Sequence, residues 1–122
     1  MTTYITEIPS NVDPNAPLVY RFTIPALDVV YHGKANNGAE RPRRDYGRNI
    51  ARMLQGLPRR TTPGQERYRL IHHAMHAAVR GGHTIELTLV ENCELADLVA
   101  RERWWIAYAD RPWAGHLEKL TA

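Results

Sequence analysis

Two tyrosines, a lysine, an arginine and a glutamate are the residues of this chain best suited to chemistry. Tyr20 and Tyr31 each lie in a short β-forming run. Gly33 and Lys34 follow the second tyrosine, Arg41 comes ten positions after it, and Glu102 stands far downstream in Glu102-Arg103-Trp104-Trp105-Ile106. Phenols, fixed cations and one carboxylate can together orient water, neutralise an anionic group and help a leaving oxygen. A tyrosine titrating near ~10 is a poor base, so a neighbouring cation matters.

The charge distribution points the same way. The 122 residues carry a formal charge of +3, but residues 41 to 69 alone hold nine arginines against Asp45 and Glu66, a net of +7. A one-sided block of this kind suits a phosphate-rich partner, because guanidinium presents a forked set of donors. A solvated helix face is the plainer reading of the same run. Arg44, Arg48 and Arg52, spaced by four, form one basic ridge, with Arg43 beside it and Arg59 and Arg60 in the following loop.

Glu102 stands out on physical grounds. With Leu95 as origin and ~100° per residue, Leu98, Val99, Ile106 and Glu102 all fall within about 60° of one direction. A carboxylate inside an apolar stripe must pair with a cationic side chain, bind a metal cation or open onto a cleft.

The elements that must position these residues follow from periodicity. Leu18 to Ile24 and Asp28 to Tyr31 read as a hairpin around Pro25, followed by a turn-forming loop from Lys34 to Glu40. A helix is expected to begin after Pro42 and run to about Gln55, with Tyr46, Ile50, Met53 and Leu54 toward the core. A second should run from about Gln65 to Arg80, burying Leu70, Ile71, Ala74, Met75 and Ala78 and leaving His72 and His76 on the polar side. That histidine pair has the spacing of a metal clip, but no third ligand accompanies it. Thr84 to Val90 alternates as a half-buried strand, and a third helix, N-capped by Asn92, should reach about Tyr108. Residues 1–17, punctuated by Pro9, Pro14 and Pro17, read as a loose arm, with an edge strand at Tyr4 to Ile8 as the alternative.

Taken together, Leu18-Val19-Tyr20, then Tyr31-His32-Gly33 with Lys34 and Arg41, and finally Glu102 before Trp105-Ile106, resemble the GIY-YIG nuclease family. The resemblance spans residues 18 to 106. It implies an α+β domain over residues 18–122, with a small three-stranded antiparallel sheet flanked by helices, that cleaves DNA. It also implies roles. Glu102 would hold one Mg²⁺ (or Mn²⁺), Arg41 would hold a non-bridging phosphate oxygen, and Tyr31 would activate or orient water. Tyr20 and Lys34 would assist Tyr31, and Tyr46 would take the place of the family's additional histidine or tyrosine. The chain departs from the pattern at His32, usually apolar, and in Arg111 to His116, where an asparagine is expected and none occurs. A binding module without catalysis, or an interaction protein on the same scaffold, remains the alternative. Family members usually carry a separate targeting domain, so specificity here would come from the domain itself, from a homodimer or from a targeting partner.

Cys93 is the only cysteine, which excludes an internal disulfide and four-cysteine zinc sites. With no basic-then-apolar leader at the start and no apolar run of ~20 residues, a cytoplasmic setting without membrane contact is expected.

Overall fold

The computed structural model describes residues 3–109. Four strands form one mixed sheet. They are β1 (Tyr4–Glu7), β2 (Leu18–Ile24), β3 (Val29–Ala35) and β4 (Ile85–Asn92), in the order β1-β4-β2-β3. The expected three-stranded antiparallel sheet is present as β4-β2-β3. The segment read as a loose arm adds a fourth strand, pairing in parallel with β4 from Tyr4 opposite Ile85 to Glu7 opposite Thr88. All four β1 residues are exposed, so no burial pattern marked them in the sequence.

β2 and β3 are joined by a single helical turn, Pro25–Leu27, closed by Asp28 in the left-handed region (φ 54°). An aspartate tolerates that conformation better than most side chains. β3 runs further than its β-forming residues suggested, so Gly33, Lys34 and Ala35 lie in the strand rather than in the following loop. Its register sets Tyr20 opposite Gly33 and Phe22 opposite Tyr31.

Helix α1 (Glu40–Leu54) begins two residues before Pro42. The proline occupies the first turn, where its missing N–H leaves no intrahelical bond unmade. Tyr46 and Ile50 are buried as their spacing requires, while Leu54 is exposed. Helix α2 (Leu70–Gly81) starts later than expected because the preceding segment is held as a loop by its own hydrogen bonds. The Arg59 N–H donates to the Glu66 carbonyl at 3.0 Å, and the Tyr68 hydroxyl to the Leu57 carbonyl at 2.7 Å. The buried stripe of α2 is Ile71, His72, Met75 and Ala78, and Leu70 points outward. His72, expected on the polar side, is 2% exposed.

β4 carries one irregularity. Val19 pairs with Glu91 but Tyr20 pairs with Leu89, so Val90 is an extra residue. Such a bulge reverses the side-chain alternation beyond it. Glu91 is thereby turned to the face opposite Tyr20 and Phe22, where the third helical segment packs. Asn92 does not cap that helix. It ends β4 and its amide ties down the N-terminal segment, donating to the Asp13 and Pro17 carbonyls at 2.9 and 3.1 Å and accepting from the Asp13 N–H at 2.7 Å.

The third helical segment is composite: one 3₁₀ turn at Leu95–Asp97, helix α3 (Leu98–Trp104), and a π turn at Trp105–Ala109. It is fastened to the sheet by Arg101, whose guanidinium grips the Glu91 carboxylate in a two-pronged pair, and by the Trp105 indole N–H, 3.1 Å from the same carboxylate. Trp105 also stacks on the buried His32 ring at 5.7 Å between centroids. Both sheet faces are therefore covered, by α1 and α2 on one side and by α3 on the other. No helix among the described residues is long and apolar enough to cross a membrane.

Candidate active site and arginine cleft

The hairpin and α1 bring three phenols together. The Tyr20 hydroxyl lies 2.8 Å from the Tyr46 hydroxyl, and the Tyr46 ring stands 6.4 Å from that of Tyr31 and 4.8 Å from that of Phe22. Tyr20 is 3% and Tyr31 4% exposed. Burial pushes both the Tyr20 and the Tyr46 hydroxyl well above the ordinary tyrosine range, and repulsion between neighbouring phenolates pushes further. These two phenols therefore remain protonated and act as hydrogen-bond donors.

Gly33 makes the cluster possible. The Tyr20 ring lies across it, and a Cβ at residue 33 would overlap the ring Cζ and hydroxyl and sit 2.8 Å from Cε1. Glycine at residue 33 is thus a steric requirement of the Tyr20 ring opposite it, and this accounts for the glycine of Tyr31-His32-Gly33.

Charges gather around the phenols. Arg41 favours the ionised form of Tyr20, while Glu102 opposes it, which sets both close to that ring. Glu102 is half-buried, and desolvation raises its carboxyl above the usual range. Lys34, Arg69 and Arg103 pull in the opposite direction, Lys34 most strongly. Among the described residues no ion pair to Glu102 forms. Of the six residues assigned to chemistry, Tyr20, Tyr31 and Tyr46 are in contact, Arg41 and Glu102 lie within electrostatic reach of Tyr20, and Lys34 lies within reach of Glu102.

The basic residues divide. Arg41, Arg48, Arg52, Arg59 and Arg60 line a cleft of about 440 Å³ between α1 and the loop that precedes α2. Arg44 does not, because it is turned toward Glu40 in a 2.7 Å ion pair. Arg43 borders a different, apolar hollow with Ile5, Phe22 and Leu87. The supposed ridge is thus two cleft residues and one surface pair, since a spacing of four drifts around a helix of 3.6 residues per turn. Arg69, Asn49, Thr61, Thr62 and His72 complete the cleft and were not picked out as site residues in the sequence. His72 was detectable in principle, because it precedes Met75 by three positions in the stripe that α2 buries.

His72 is a neutral part of this wall. Desolvation, with the positive charges of Arg59 and Arg69, lowers its pKa to about 4. The Arg69 N–H donates to His72 Nδ1 at 3.1 Å, which leaves the ring proton on Nε2. The unfolded chain takes up a proton here near pH ~6.5, before the folded chain does, so stability must fall as the pH drops through the interval from ~6.5 to about 4. Urea titrations at pH 7 and 4.5 should differ by up to ~3 kcal/mol from this group. His72→Gln should lose that part of the pH dependence, and an unchanged dependence would remove His72 as its source.

Glu102 is the one carboxylate among the six residues assigned to chemistry. Among the described residues, no group of three His, Cys, Asp or Glu side chains is placed to hold a metal ion. A single hard carboxylate suits Mg²⁺, which keeps several waters and takes its remaining ligands from substrate phosphates. The donor set fits that ion. The segment Arg111 to His116, where an asparagine was expected, lies outside the described residues. No protein-family model, no curated protein and no solved structure matches the chain.

Proposed function

We propose that this protein is a metal-dependent endonuclease of the GIY-YIG type that hydrolyses DNA phosphodiester bonds. The observation that carries the reading is the convergence of Tyr20, Tyr31 and Tyr46 with Arg41, Lys34 and Glu102, opening beside an arginine-lined cleft. In the reaction, a water oxygen forms a bond to phosphorus, one P–O ester bond breaks, and the water's proton leaves as the departing oxygen gains one. Arg41 neutralises a non-bridging oxygen as charge builds on it. Tyr31 orients the water, held from behind by the protonated Tyr46 and Tyr20 hydroxyls. Lys34 supplies positive charge next to the Glu102 carboxylate. Glu102 would hold Mg²⁺, which when bound supplies charge stabilisation at the phosphate and leaving group.

Incubation with supercoiled plasmid tests this directly. Nicking with Mg²⁺ and none with chelator is expected, and intact plasmid under both conditions would remove the enzymatic reading. A binding module without catalysis is favoured by one observation, the near-complete burial of Tyr20 and Tyr31, and such a module would shift plasmid in a gel while leaving it uncut.

The cleft also sets an expectation for binding. Each phosphate contact adds about 0.9 to the log-log salt slope for duplex DNA. Replacing Arg48 and Arg52 with alanine should lower the slope by about 2, whereas Arg44→Ala, already paired with Glu40, should change it by less than about 0.5. Equal effects at all three positions would mean that the cleft has no special part in binding.

A further inference from the structure

The arginine cleft is more than a basic strip for a passing backbone. Six guanidinium groups, from Arg41, Arg48, Arg52, Arg59, Arg60 and Arg69, share it with one carboxylate, Asp45. Its volume of about 440 Å³ is that of a pocket for a small ligand, within the roughly 300 to 1,000 Å³ common for such sites. The walls are fixed in advance. Arg52 Nε is anchored on the Pro58 carbonyl at 2.9 Å, and the loop carrying Arg59 and Arg60 is tied by the Arg59–Glu66 and Tyr68–Leu57 hydrogen bonds. Within it, Arg59 Nε is buried and makes no hydrogen bond.

We propose that this cleft is a built site for a terminal phosphate, a phosphomonoester dianion carried by a nucleotide or by the end of a nucleic-acid strand, distinct from the phosphodiester that is cut. A buried donor without a partner costs stability unless a ligand satisfies it. Crowding like charges around it adds to that cost: burial, then Arg69 and Arg60, lower the affinity of Arg59 for its proton. An anion with two charges and three acceptor oxygens relieves both penalties better than a singly charged diester does. A concave pocket also receives a chain end more readily than a backbone that must leave on both sides. Arg41 connects the cleft to Tyr20, and Arg69 connects it to Glu102. On the nuclease reading, an end phosphate held here would therefore set the distance from the strand end to the cut.

Binding is measured without catalysis, in EDTA at fixed ionic strength, using AMP, adenosine, and one single-stranded octanucleotide bearing a 5′-phosphate, a 3′-phosphate or neither. A phosphorylated octanucleotide is expected to bind at least about tenfold more tightly than its hydroxyl-ended form. A phosphate advantage confined to AMP also supports the site and assigns it to a free nucleotide. Arg59→Gln should cut the advantage to below about threefold and, by relieving charge crowding, hold or raise the melting temperature without ligand. Should that variant misfold, the exposed Arg60→Gln serves in its place with a smaller loss. Equal binding of phosphorylated and hydroxyl-ended ligands, or an advantage retained in both variants, overturns the proposal. Plasmid nicking is scored separately, so phosphate-selective binding by a protein that never nicks would overturn the nuclease reading alone.

Discussion

Glu102→Gln should slow plasmid nicking by at least about a hundredfold, the usual cost of deleting one main electrostatic group. The melting temperature should stay level or rise. The amide keeps the shape of the carboxyl and most of its hydrogen-bonding capacity, but removes the charge that would hold a cation. Burial already raises this carboxyl above the usual range, so its ionised form is a burden on the folded chain at neutral pH. The direction follows from linkage. With the folded value above the unfolded one, stability rises as the pH falls through the interval between them, and the amide should abolish that rise. A Glu102 locked in a buried ion pair would behave in the opposite way, stranding an arginine at a cost of roughly 3 to 5 kcal/mol. Nicking rate and melting temperature on this one variant separate the two. A destabilised variant that still nicks at the parent rate would sink the metal-ligand assignment.

Gly33→Ala should damage stability and activity together. The new Cβ would enter the Tyr20 ring, which has nowhere to go, because it is 3% exposed and its hydroxyl is held by Tyr46. Overpacking of this kind costs about 1 to 3 kcal/mol, seen as a fall in melting temperature of roughly 5 to 15 °C. Nicking should fall by about a hundredfold even at temperatures where the variant is folded, since a displacement of about 1 Å at catalytic groups suffices for that. Tyr20→Leu makes room for the methyl. The double variant should therefore be more stable than the sum of the single losses, the mark of two residues in direct contact. Gly33→Ala as stable and as active as the parent would break the link between the triplet and the site.

What could be read from the sequence was what depends on short-range pattern. The alternation in Leu18 to Ile24 and Thr84 to Val90 and the spacing of Tyr46 and Ile50 are local properties, and each placed its element, whereas Lys34 was assigned to a loop and lies in β3. Glu102 was conspicuous because an apolar stripe makes a carboxylate conspicuous. Other features depend on contacts that no window of sequence contains. β1 has four exposed residues, and its pairing partner lies some eighty positions away. His72 was assigned to the polar side because Leu70 was counted into the buried stripe of α2, which moved the stripe's centre away from His72; Leu70 is exposed. The start of α2 is set by hydrogen bonds within the preceding loop. The bulge at Val90 leaves no mark in composition, yet it decides which face Glu91 presents to Arg101.

The placement of β1 has a consequence for how the chain assembles. β4 lies between β2 and β1, and all of the chain between Glu7 and Ile85 intervenes before β1 has a strand to dock against. During synthesis β1 is therefore made well before its partner and pairs only after the hairpin and both long helices have emerged. Until then β4 presents an open row of amides and carbonyls, the kind of edge on which a second molecule can add a strand. The small exposed strand at the start of the chain thus acts as a late seal on that edge. Clipping it should show first as self-association, before any loss at the distant tyrosines.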